Sequence, residues 1–172
     1  SFDTFCIVFH YAISELHIFL YPKKGRVKLE NVSVTNIINI LYKKLDKLNG
    51  VQTRKNVVIP QKIPPEGMII LRSGKCEIIE TILSPVSYVL ELRPELEILV
   101  QDINDDKRYN QMLKIVKKVS DCLKDDFSLG GTVDYLHTEP PEYSDENIDG
   151  AAPIRIASIP IIIEFVSNNP LL

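Results

Sequence analysis

Asp134, His137, Glu139 and Glu142 form the one stretch of this 172-residue chain that gathers several side chains of metal-ligand type. Carboxylates and a neutral imidazole hold divalent ions, so a loop folding back on itself could wrap these four around one and support metal-assisted hydrolysis. Their spacing matches no established ligand frame. A run of like charge is commonly just solvated, which makes an exposed acidic loop beside a strand the competing reading. His10 and His17 lie two helical turns apart with no third ligand type nearby and read as packing residues. Cys6, Cys76 and Cys122 are odd in number, widely spaced and without a CxxC pair. They point to reduced, partly buried thiols rather than to a disulfide framework or a zinc site. No GxGxxG, GxxxxGK[ST], GxSxG, HExxH or EF-hand pattern occurs, so the chain carries none of the common cofactor, nucleotide or hydrolase signatures. No catalytic residue and no cofactor is assigned.

Tyr135, Tyr143 and Arg155 flank the acidic stretch and belong to the residue types enriched where proteins meet. The plainer alternative places Tyr135 in the core and leaves Tyr143 merely exposed. A formal charge of −3 and a pI near 5.6 give no electrostatic footprint for nucleic acid or for an anionic membrane.

The elements that must position these residues follow from periodicity. Val86 to Gln101 (VSYVLELRPELEILVQ) alternates in one phase, with Val86, Tyr88, Leu90, Leu92, Leu96, Ile98 and Val100 on one face. This is the signature of one very long strand, in the sheet centre or at its edge. Pro94, which cannot donate a ladder hydrogen bond, should sit at an edge, a bend or a bulge. An over-long strand with a free edge suggests assembly, and Leu96 and Ile98 are then expected to be buried partly by a neighbouring copy.

Upstream, Ser1 to Tyr21 has the three-to-four spacing of an amphipathic helix, and a basic linker follows to Glu30. Together residues 1–30 read as an extension. The apolar run is too short and too polar to span a bilayer. Ser33 or Thr35 caps a helix to Leu48, stopped by Asn49-Gly50. Asn56 to Ile59, Met68 to Arg72 and Lys75 to Ser84 read as strands, the last two separated by a Ser73-Gly74 turn. Asn104 to Lys124 is the clearest helix, with Met112, Ile115, Val116, Val119 and Leu123 as its buried stripe. Thr132 to Thr138 is a strand, and Glu139 to Gly150 is an exposed loop. Pro153 to Val166 is an apolar strand whose change of phase implies a bulge near Ser158 to Pro160. Its continuous apolarity implies cover on both faces, by helices on one and by another subunit on the other. The sum is a single α/β (α+β) domain over residues 31–172, a mainly antiparallel sheet with helices on one face.

The order of these parts resembles that of the tail terminator, or tail-completion, proteins of long-tailed bacteriophages and of related minor tail proteins. The matching parts are a capped helix from Val34 to Leu48, the proline-flanked strand PPEGMIILR, the long strand YVLELRPELEILVQ and a helix from Tyr109 to Leu123. They end in the strand, acidic loop and apolar strand VDYLHTEPPEYSDENIDGAAPIRIASIPIIIEF. The likeness covers roughly Val32 to Val166, whereas residues 1–30 are longer than the family pattern. It implies a non-enzymatic virion subunit, assembled in the host cytoplasm, that forms a six-membered ring. Its partners would be further copies of itself, the tail tube protein and the head-side connector or stopper. Other neck, connector or baseplate positions are sibling readings. No specific nucleic-acid or membrane partner is implied.

Overall fold

The computed structural model describes residues 32–171, so the expected N-terminal helix and basic linker lie outside the described residues. Helix α1 spans Val34–Leu45 and α2 spans Asp105–Leu123. The Ser33 hydroxyl accepts the Asn36 N–H at 3.1 Å, and the Asn104 side chain accepts the Lys107 N–H at 2.9 Å. Each cap satisfies one of the donors that a helix start leaves orphaned. Lys43 and Lys44 in the last turn of α1, and Asp105 and Asp106 in the first turn of α2, complement the helix dipoles. Helix α1 ends at Leu45, a turn short of the expected Leu48.

Among the described residues six strands form one sheet: β1 (Gln52–Lys55), β2 (Met68–Leu83), β3 (Val86–Gln101), β4 (Tyr135–Thr138), β5 (Glu142–Glu146) and β6 (Ile154–Ser167). Their order is β1-β2-β3-β6-β4, and β5 pairs the same side of β6 as a continuation of the β4 edge. Of the pairings among these six strands, only β1–β2 is parallel. The fold is thus a mixed α+β arrangement with a mostly antiparallel sheet, as the patterns require.

Several expectations are corrected by the register. The strand expected at Asn56 to Ile59 lies four residues earlier, because Asn56 takes a left-handed conformation (φ 48°) that leaves the ladder. Ser73-Gly74 is no turn between strands but a bulge within the single 16-residue strand β2. Gly74 there (φ 68°) lies so close to the backbone of Arg93 and Pro94 that a Cβ would stand 1.7 Å from the Arg93 carbonyl oxygen. Glycine is required twice over, by conformation and by space. The bulge lies opposite Pro94, where β3 lacks a donor, so the long strand runs through the sheet centre with no free edge of its own.

β6 contains no bulge. Its register against β3 is constant from Ile154↔Gln101 to Ser167↔Tyr88. The change of phase instead marks a change in which face is covered. Ala157, Ile159, Ile161, Ile163 and Phe165 point into the main core beneath α1 and α2, whereas Ile154 and Ile156 join Ile63, Met68, Ile70 and Leu99 in a smaller core on the opposite face. That second core is covered by the chain's own Val57, Ile59 and Ile148, and not by another subunit as the apolar pattern implies. The acidic stretch expected as pure loop holds β5, all five of whose residues are exposed although paired to β6.

Leu96 and Ile98 are fully buried in the main core, so they offer nothing to a neighbour. Ile98→Asp would place a charge with no partner in this dry core, at a cost of several kcal/mol. The expected outcome is loss of the far-UV circular dichroism transition of the folded monomer; a folded variant impaired only in assembly would contradict this packing. Gly74→Ala is expected to lower the melting temperature, since the left-handed conformation alone costs about 1–2 kcal/mol for an L-residue, and an unchanged melting curve would refute the tight crossing at Arg93–Pro94.

Candidate functional site

A strand advances about 3.3 Å per residue and a helix about 1.5 Å, so α1 is about 18 Å long while β2 and β3 each run about 50 Å. The helices therefore cover only the proximal part of the β2–β3 hairpin. Beyond the bulge at Gly74, β2 turns from buried to mostly exposed, and Ile78, Ile79, Leu83 and Val86 stand 49, 51, 79 and 55 % exposed. Ile78 pairs with Leu90 and Leu83 with Val86, which places all three exposed residues on the helix-bearing face, Ile78 on the outer strand beside the buried Leu90, and Leu83 and Val86 farther along the hairpin, past the core. β1 pairs β2 only up to Leu71, so the outer edge of β2 beyond Asn56 has no strand beside it among the described residues. An unpaired edge carrying exposed aliphatics is a template for another chain. Sequence reasoning missed these residues. The available signal was strand length against helix length.

A groove of about 480 Å³ opens between the C-terminal half of α2 and the β4 edge, with Val116, Val119, Leu123, Leu136 and Ile159 in its walls. Phe127 stands at its mouth and stacks on Tyr135 (ring centroids 6.3 Å), which leans on His137 (5.3 Å). Asp126, next to Phe127, accepts from Lys44 Nζ at 2.5 Å and from the Gly130 N–H at 2.9 Å, tying the loop after α2 to α1.

The four residues of metal-ligand type do not converge. Asp134 immediately precedes β4 and His137 lies three residues on, so alternation turns them to opposite faces, and Pro140-Pro141 separates both from Glu142 in β5. Among the described residues, no three His, Cys, Asp or Glu side chains are placed to share a metal ion. Partial burial pushes the Asp134 carboxyl up from its ordinary range, against the opposing effect of a hydrogen bond from the Val166 backbone.

No protein-family model matches the chain, and no curated protein is significantly similar to it.

Tyr135 and Tyr143 are both substantially exposed, so Tyr135 is no core residue. Arg155 lies between the rings of Tyr109 (5.7 Å) and Tyr143 (5.4 Å) and pairs with Asp145 at 3.1 Å. Arg108, almost buried, holds the Asp102 carbonyl at 2.7 Å and Asp105 at 2.8 Å, with its Nε 3.8 Å from Asp145. Tyr143 and Arg155 thus fasten the exposed strand β5 onto β6 and α2. Burial pushes the Cys76 and Cys122 thiols up, disfavouring the reactive thiolate. No described helix is long and apolar enough to cross a membrane.

The Lys44 hydrogen bond, and after it the Gly130 N–H, hold the Asp126 carboxyl below its ordinary range. A depressed folded-state value contributes stability above the unfolded value near 3.9, and that stability is lost as pH falls through the folded value. Asp126→Asn should therefore melt lower than the native protein at pH 7, with the gap closing below about pH 4. A gap that stays constant down to pH 2 would show that this carboxylate is not what fastens the loop.

Proposed function

We propose that the chain is a non-enzymatic structural subunit that assembles with copies of itself into a closed ring, and that the ring is a tail terminator capping the tail tube of a long-tailed phage and joining it to the head-side connector. The observation that carries the self-assembly reading is the distal half of the β2–β3 hairpin. Its edge, which has no strand beside it among the described residues, and its exposed Ile78, Ile79, Leu83 and Val86 do nothing for the core those residues form. Such a surface is a liability for a lone protein, because it invites uncontrolled edge pairing. A ring turns that liability into a closed set of contacts, since each heterologous interface joins two different surfaces and rotation closes the set.

The tail-terminator assignment rests on the order of elements, from the capped helix through the long strand to the terminal apolar strand. The mostly antiparallel sheet and the helices α1 and α2 are compatible with it. The scattered placement of Asp134, His137, Glu139 and Glu142 gives the hydrolase alternative no geometric support. Electron microscopy and native mass spectrometry of the purified protein mixed with tail tubes test the reading. Closed rings seated at tube ends are expected, whereas a monomer that ignores tubes even at high concentration would overturn it.

A further inference from the structure

We infer that the groove between α2 and β4 is the socket that receives the apolar hairpin tip of a second copy of this chain. The inference rests on the ring reading and names the two surfaces that would close it. The tip is a two-faced ribbon. Ile78, Leu83 and Val86 lie on one face, while the irregularity at Ile79 brings Glu77 and Glu80 together on the other, beside the half-buried Ile82 and Val89. The groove has matching features, an apolar floor of Val116, Val119 and Leu136 and an aromatic lip at Phe127. Lys124 stands on its rim and Lys117 two turns earlier on the same helix, both exposed. Laid apolar face down, the ribbon removes its aliphatics from water, and the long lysines can reach the acidic face above it. Asp121, Asp125 and Glu139 are the opposing charges nearby: Asp121 is already paired with Lys124 at 3.0 Å, Asp125 acts on the same lysine, and Glu139 stands on the opposite wall.

The tip cannot fill the groove of its own chain. β4 lies level with Glu91 and Leu92 of β3, through Glu164 and Ile163, with β3 and β6 between it and β2; the ladder holds Ile78 beside Leu90 on the far side of those strands and Leu83 and Val86 beyond Tyr88. Edge-to-edge pairing with β5 of a neighbour is the rival arrangement. It would set Glu77 and Glu80 against Glu142, Asp145 and Glu146, and Pro140-Pro141 breaks the edge it needs.

Two variants test the socket by sedimentation velocity, each first shown by circular dichroism to melt like the native protein. One carries Ile78→Asp with Leu83→Asp and has a dead tip. The other carries Phe127→Asp with Lys124→Glu and has a dead groove; all four positions are exposed. Each variant alone should lose self-association by about tenfold or more. Their equimolar mixture should form a dimer and stop there, because only one intact tip and one intact groove remain. Native rings that persist in the dead-groove variant, or a mixture that stays monomeric while the native protein forms rings, would overturn the socket and leave the ring reading standing. A native protein that never self-associates would overturn both. Should the double substitutions unfold the chain, Leu83→Ser and Phe127→Ala provide the same complementation at smaller amplitude.

Discussion

The packing of α1 and α2 onto the proximal half of β2, β3 and β6 is the interaction on which the rest of this structure depends. It buries Ile37, Leu41 and Leu45 of one helix and Met112, Ile115 and Val119 of the other against Ile69, Leu71, Leu96, Ile98 and Ile161. Each such aliphatic is worth about 1.5–3 kcal/mol of transfer free energy when taken out of water, which makes this packing a leading favourable contribution to folding. Because a helix rises less than half as far per residue as a strand, the same interaction cannot extend along 16-residue strands. The distal hairpin is what this mismatch leaves over.

The hairpin continues past the core because its one weak point is accommodated. Pro94 removes a donor from the central strand, and the bulge at Ser73-Gly74 in β2 lies opposite the gap, with Gly74 pressed against Arg93 and Pro94. Two further constraints hold the other side of the molecule. Arg108 and Arg155 gather Asp145, which keeps the wholly exposed strand β5 on the sheet. Lys44 and Asp126 fix the loop that carries Phe127 to the mouth of the groove. Projecting tip and receiving groove are therefore both anchored to the same core, at different places on it.

Much of the fold was legible in the sequence. The alternation from Val86 to Gln101 and the stripes beginning at Ile37 and Met112 are local signals of burial, and each element formed where its period placed it. What misled was punctuation whose meaning depends on partners. Ser73-Gly74 looks the same in a turn and in a bulge, and only the strand opposite, with its Pro94, decides. The phase change in β6 looks like a bulge because one strand can serve two cores in succession, as Ile154 and Ile156 do on one face and Ile159 to Phe165 on the other. Leu96 and Ile98 had the right pattern for burial, but periodicity does not say whose surface buries a residue. The groove was illegible because α2 and β4 are brought together only by the sheet: His137 and Glu139 in its wall stand out by residue type, but nothing in the sequence places them beside Val116 and Val119.

Hydrogen–deuterium exchange at the amides of Cys76 to Leu83, followed as the protein concentration is raised from the monomeric range, tests most directly whether the distal hairpin serves assembly. These amides belong to a strand whose outer edge carries no neighbouring strand among the described residues beyond Asn56, so in the monomer many should exchange quickly. Protection that rises with concentration in this stretch, together with Val116 to Phe127 lining the groove, is the expected result. Exchange that is fast and unchanged at every concentration, while the protein nonetheless forms closed rings, would show that the subunits meet through other surfaces.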